Sequence, residues 1–437
     1  MTGNKKILTE ESIESFRNFE NLKQVNILES SPNCGSAFYF LTPLLKYGKF
    51  SCAFSYGLRS SFTGKVLEYS TKQLRILGIL SGILYVIMCL HIAVGVVKWD
   101  FHVSFSALVN MIKRVTYGIF VVKLIATYYC MQRRGRKMGL WVKIFKQADL
   151  IERQFANFGI YLPSRRTARV IGIGICSLSI VLTLVHVMVF SFAVDFKNYS
   201  WYDRYTAKIM NTFTLGFWSL DLLHEIPYEL NLIMGTIGLG LEIFCWNLWY
   251  FVDTFRVLTA LVVWIVFQTL NRALNTGKLR VENLPEIIEL HFNGTKLLNL
   301  FNQLMGPITF TSSVFNILYA CFWTNYCLIQ VKFHLKYIVA IMTCLRMLVV
   351  FYLVADVNSQ AYQITTWMEN HFTDMDKVPK KVDKTKLTMF MSLIYSRESI
   401  GFKGSNFFTC TPALNIAIGG LILTYTVIVN QVATQTQ

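Results

Sequence analysis

The sequence predicts an all-α membrane protein with seven transmembrane helices, the N-terminus cytosolic, the C-terminus extracellular, and a cytosolic helical stretch between spans four and five. Three observations predict it. Of 437 residues, 54% are hydrophobic and only 15% charged, more apolar side chain than a soluble domain has core to hide. Apolar runs about as long as a hydrocarbon crossing recur from residue 74 to residue 432. The basic residues, which set the net charge at +17, gather beside those runs, where membrane orientation explains them better than nucleic acid does.

Residues 1–73 form a polar lead without a signal-peptide core, so the first span inserts the chain and the N-terminus stays cytosolic; the apolar half, residues 38–62, predicts a helix against the membrane or the cytosolic ends of the spans. Span one covers residues 74–97 and span two residues 103–131. Span two carries Lys113, Arg114 and Lys123; snorkelling would bring Lys123 to the cytosolic interface, while Lys113 and Arg114 face protein or water. Arg133, Arg134, Arg136 and Lys137 open the most basic loop of the chain and mark this side as cytosolic. Span three, residues 170–194, leads into an outer loop at 195–229 that holds a glycosylation sequon at Asn198.

The fourth apolar run, residues 230–270, would be about 60 Å long as one helix. It is either two spans hinged near Asp253 and Arg256 or one helix projecting into the cytosol, and the lack of a turn-forming cluster favours one helix. Spans one to four thus occupy 74–270, a cytosolic segment 271–304, and spans five and six 305–357, with Arg346 inside span six. The sequon at Asn293 falls on the cytosolic side and should stay unmodified. A basic cytosolic loop at 358–404 precedes the last span and extracellular tail at 405–437.

That last span has no charge from Ala413 to Val432 but carries Thr424, Asn430 and Gln431. Thr424, Ile428 and Gln431 stand at i, i+4 and i+7, so one helix face presents a hydroxyl, an apolar side chain and an amide in succession. Two readings stand: a polar end solvated at the interface, or, where several copies meet, a pore lined by one apolar ring between two polar ones.

No catalytic, cofactor or metal motif appears. His224-Glu225 lacks the second histidine of a metalloprotease helix, and the ten cysteines form no CxxC pair. Gly172 and Gly174 read as small residues for close helix packing.

Thr424-Tyr425 followed by Gln431 resembles the C-terminal signature of insect gustatory receptors, with Val432 in place of the family Phe. Gly404, Phe407, Phe408 and Thr411 resemble a run of the sugar-receptor branch, as does Ala355-Asp356-Val357-Asn358; Lys403 and Thr426 depart from that branch. The resemblance implies a tastant-gated, non-selective cation channel, most readily for sugars, assembled as a homo- or heterotetramer with related receptors in the plasma membrane of gustatory neurons. It further implies that the 271–304 segment joins a cytosolic anchor and that a ligand pocket occupies the outer half of each subunit. Aromatic faces and hydrogen-bonding groups suit a sugar, and the outer ends of the spans offer His186, Trp218, Tyr228, Asn231, Trp323, Tyr326, Gln330 and Tyr337. The other partners expected are membrane lipids. A G-protein-coupled receptor would place the N-terminus outside and a disulfide cysteine in the outer loop, and a transporter would show repeats; neither pattern is present.

Overall fold

A computed structural model describes residues 36–51, 53, 56–60, 66–69, 83, 86, 105–192, 227–329, 336–371, 384–395 and 400–435. The described chain is a bundle of long helices. In order they are α1 (Ser36–Phe50), α2 (Phe105–Tyr129), α3 (Leu140–Asn157), α4 (Arg165–Phe192), α5 (Tyr228–Asn275), α6 (Leu284–Ile329), α7 (Lys336–His371), α8 (Lys384–Tyr395) and α9 (Pro412–Gln435). Two short antiparallel hairpins accompany them, β1 (Gly57–Ser60) with β2 (Val66–Tyr69) and β3 (Lys403–Gly404) with β4 (Phe408–Thr409). Of span one only Ile83 and Val86 are described, both exposed; Asn198 lies outside the described residues.

Four stretches among the described residues are long and apolar enough to cross a membrane: Arg165–Met188, Trp246–Asn275, Val281–Cys321 and Ile341–His371. The run read at 230–270 is one unbroken helix of 48 residues, about 72 Å long at 1.5 Å per residue. That is more than twice the hydrocarbon thickness, so a large part of α5 must lie beyond the bilayer. Its C-terminal half is packed on every side, with Leu258, Val263, Phe267 and Leu270 all buried. Helix α7 runs beside it in the same direction, since Asp253 meets Arg346, Trp264 Nε1 donates to Asp356 Oδ2 at 2.6 Å, and Asn271 Nδ2 donates to the Gln360 carbonyl at 2.8 Å.

Helix α6 carries Pro307 in its interior, where the ring nitrogen cannot bond the Gln303 carbonyl one turn back. Arg134 supplies the missing donor, its Nη1 lying 2.7 Å from that oxygen. A residue of the basic loop after α2 thus holds the proline bend of α6 to the bundle. Lower on α6, the Asn293 side chain is buried and bonds Gln147 and Gln154 of α3, which leaves no room for a glycan in the folded chain.

Helix α1 is wedged against α4 and α5. Gly172 of α4 makes this possible, because a Cβ there would meet the Phe40 carbonyl oxygen; Gly174, read the same way from the sequence, faces open space. Two turns of α4 further on, Tyr47 Oη lies 3.1 Å from Ser179 Oγ and donates to Asn247 Oδ1 at 2.9 Å.

Candidate functional site

Lys123 on α2, Asp253 and Arg256 on α5 and Arg346 on α7 converge in the middle of the bundle. Each stands inside an apolar helix, where an unpaired charge is expensive and tends to mark function. Lys123, Asp253 and Arg256 are at most 1% exposed. Snorkelling does not carry Lys123 to the interface: its ammonium lies 5.0 Å from the Phe315 ring centre and 5.6 Å from that of Trp249, because α6 and α5 cover the face of α2 that bears it. The side chains of Lys113 and Arg114 lie outside the described residues.

Asp253 is the hub. Its Oδ2 is 3.2 Å from Arg346 Nη2, and its Oδ1 is 3.9 Å from Arg256 Nη1 on the next turn. The Arg346 guanidinium lies 4.2 Å from the ring centres of both Trp249 and Tyr250, so π faces stabilise the charge that water would otherwise solvate. Three cations face one carboxylate among the described residues, a formal excess of two positive charges. Among the described residues several donors have no acceptor there: Lys123 Nζ, Trp249 Nε1, Arg256 Nε and Arg346 Nε and Nη1. A buried set this rich in donors invites acceptors, which water, an anion or a polyol can supply.

The walls are aromatic. Trp246, Trp249, Tyr250, Phe315 and Tyr319 form a continuous group, with Trp249 and Tyr319 ring centres 4.7 Å apart. His186, proposed from the sequence as a ligand residue, joins this group: its ring lies 3.7 Å from that of Trp246 and its Nδ1 3.2 Å from Tyr250 Oη.

The remaining candidates are less tightly gathered. Tyr228 and Asn231 stand in the first turn of α5, Trp323 and Tyr326 near the end of α6, and half-buried Tyr337 at the start of α7. Because α5 and α7 run in parallel and α6 returns beside them, these five positions share one end of the bundle, above the charged group. Trp218 and Gln330 lie outside the described residues.

Below the charged group a short chain of contacts reaches the last helix. Arg256 Nη2 donates to Ser313 Oγ at 3.2 Å, and the guanidinium lies 5.6 Å from the Phe351 ring centre. The Phe351 carbonyl accepts from Asn415 Nδ2 at 2.9 Å, in the first turn of α9.

The motif before α9 builds that turn. Gly404 sits under the Phe408 ring, which a Cβ would strike, and Phe407 stacks on Phe310 of α6 at 4.5 Å. Asn302 of α6 donates to the Gly401 carbonyl at 2.9 Å and accepts from Lys403 N at 2.9 Å, while Asn358 of α7 donates to the Ile400 carbonyl. Thr411 then caps α9, its Oγ1 accepting from Leu414 N at 3.2 Å, with Pro412 at the first helical position.

Helix α9 packs on the bundle by one stripe, Ile418 and Ile422 against Ala320, Met347 and Phe351. Thr424, Ile428 and Gln431 are exposed and fall outside that stripe, whereas Tyr425 is half-buried on it.

A family model described as the trehalose receptor matches residues 65–437. The chain belongs to the trehalose receptor family, the sugar family of insect gustatory receptors. The family that the Gly404 to Thr411 run and Ala355 to Asn358 resemble is thus the family of the chain. Among solved structures the receptor is similar to the insect olfactory receptor OR5 from Machilis hrabei in complex with eugenol, at TM-score 0.54 and 12% identity, covering 91% of this chain and 100% of that one. A second structure of OR5 from the same organism matches at TM-score 0.54 and 13% identity over 90% of this chain and 100% of that one. At such identity the likeness establishes the fold, that of an insect chemoreceptor. No curated protein matches the receptor.

From the sequence, Lys123 and Arg346 read as charges inside separate spans and Asp253 and Arg256 as a candidate hinge, with nothing to bring the four together. The signal was there: charges of opposite sign embedded in separate apolar runs. Trp246 and Trp249 carried no such mark, since aromatic residues are common in any span.

Proposed function

We propose that the receptor is a tastant-gated, non-selective cation channel opened by sugars, seated as a multi-pass protein in the plasma membrane of gustatory neurons. The observation that carries this is the buried group of Asp253, Arg346 and Lys123 walled by Trp246, Trp249 and Tyr250. Aromatic faces stack on the apolar side of a sugar ring, and charged donors bond its hydroxyls, so the same site offers both halves of carbohydrate recognition. Membership of the trehalose receptor family supports a sugar over a bitter compound or an amine.

In this reading the chain crosses the membrane seven times, N-terminus inside and C-terminus outside. The ligand enters from the outer end, past Tyr228, Asn231, Trp323, Tyr326 and Tyr337, and reaches His186 and the charged group; Trp218 and Gln330 are further ligand contacts in this reading. The N-terminal half of α6 joins the cytosolic anchor. Four subunits, identical or related, place α9 around an axis, where Thr424, Ile428 and Gln431 line the pore; their exposure in the single chain supports this. Ligand acceptors compete for Arg346 and change its hold on Asp253, and the Arg256, Phe351, Asn415 series carries that change to α9. Ligand shifts the closed–open equilibrium only by its preference for the open arrangement.

Currents from cells expressing the chain, with G-protein signalling blocked, test the reading against sugars, bitter compounds and amines. Sugar-evoked cation current supports it. Signals that vanish under the block would instead make this a G-protein-coupled receptor.

A further inference from the structure

A groove of about 290 Å³ opens between α1 and α4. On α4 it is lined by Arg169, Ile173, Ser177 and Ile180, which stand at i, i+4, i+8 and i+11 and so follow one face for about 16 Å along the axis. On α1 it is lined by Thr42 and Lys46, one turn apart. Arg169 and Lys46 are both exposed, and among the described residues neither is joined to a carboxylate. Among the described residues no acidic side chain lines the groove.

Depth makes the two cations differ. Gly172 meets Phe40 and Ser179 meets Tyr47, so α1 and α4 run side by side in the same direction. Lys46 is therefore level with about the second turn of α4 beyond Arg169, roughly 13 Å further along the helix axis. Arg169 belongs to the basic start of α4, with Arg165 and Arg166, whereas the residues flanking Lys46 across the groove are Ile173 and Ile180. The outward face of α4 there is apolar: Val170, Ile173, Leu178 and Val181 are exposed as lipid-facing side chains are. An ammonium at that depth needs a counter-charge close by.

We propose that this groove binds one phospholipid with an anionic headgroup, its headgroup and phosphate spanning from Arg169 to Lys46 past Ile173 with hydroxyls from Thr42 and Ser177, and its acyl chains running on from Ile180. A lipid fits better than a free anion, because the groove couples a cationic pair to an apolar wall open to the bilayer. The site would tie α1 to the bundle and make channel stability depend on membrane composition.

The test uses the full receptor reconstituted in phosphatidylcholine vesicles containing spin-labelled phosphatidylserine or spin-labelled phosphatidylcholine, with the motionally restricted fraction of each label measured. The labelled phosphatidylserine should be enriched over phosphatidylcholine by about five- to thirtyfold at this class of site, the range that one to two basic side chains give at a membrane surface. The Lys46→Gln, Arg169→Gln double variant should bring the ratio to near one. Arg166→Gln, which removes an exposed cation outside the groove, should leave it near the wild-type value. Ile173→Trp, which fills the apolar wall without changing charge, should release the restricted label and separates site loss from misfolding when the receptor still elutes as the native assembly. Soluble glycerol 3-phosphate should not displace the label; displacement at similar concentration would make this an anion site and overturn the lipid. Equal restriction of both labels in the wild type, as expected if a neighbouring subunit or water fills the groove, overturns it as well, as does an Arg166→Gln effect as large as that of the double variant.

Discussion

The central charged group and the last helix treat polar side chains in opposite ways. Around Asp253 four ionisable residues from three helices are buried, paired or stacked on rings, so the chain solves their desolvation internally. On α9, Thr424 and Gln431 are exposed, and the helix is held by one stripe and by its capped first turn. A polar group in the interior of a subunit can respond to a ligand there. Polar groups on a face the subunit does not cover suit an axis shared with other subunits, which is where a pore must be. In the proposed function the first region senses and the second conducts.

The largest expected effect breaks the first region. Asp253→Ala leaves Arg346 and Arg256 buried without their shared carboxylate, a loss of about 3–5 kcal/mol, so surface expression should collapse. Asp253→Leu combined with Lys123→Met, Arg256→Met and Arg346→Met, which leaves no buried charge behind, should recover expression in biotinylation assays yet stay silent to sugar. Sugar-evoked current from that combined variant would show that the charged group is scaffolding alone.

Next in size is the pore face. Ile428→Ser should hydrate the apolar ring and raise current without ligand, and Gln431→Ala should change conductance or ion preference. Wild-type leak, conductance and selectivity in both, at normal expression, would remove α9 from the pore and dissolve the comparison.

The hinge between the regions should give an intermediate effect. Gly404→Ala drives a methyl into the Phe408 ring, and Asn358→Ala removes a buried donor to the Ile400 carbonyl; each should cost about 1–3 kcal/mol and lower the melting temperature of the purified receptor. An unchanged melting temperature in both would mean that the hairpin is not braced as its bonds suggest.

Smallest is the ligand contact at the edge of the group. His186→Ala and Trp323→Ala should move the sugar concentration needed for half-maximal current while leaving reversal potential alone, because a ligand contact shifts populations and not the open pore. A shift in reversal potential would place these residues in the ion path.

Much of the plan was legible in one dimension. Hydrophobic runs reveal spans because every backbone polar group must be satisfied in lipid, and only continuous helices do so from local sequence. That is why residues 230–270 read as a long helix, and why the Gly404 to Thr411 run, whose members lie within eight positions, could be recognised as a family mark.

What the sequence could not determine is which distant residues meet. Lys123 and Arg346 are separated by more than two hundred positions, and only the packing of α2, α5, α6 and α7 puts them around one carboxylate instead of at the membrane surface. The Arg134 donor that completes the Pro307 turn, and the Lys46 and Arg169 pair across the α1 groove, are likewise products of helix contact. Local patterns decide where a helix begins and which face is apolar; the partner of a buried charge is decided by the neighbour that excludes water from it, and that neighbour exists only in the tertiary structure.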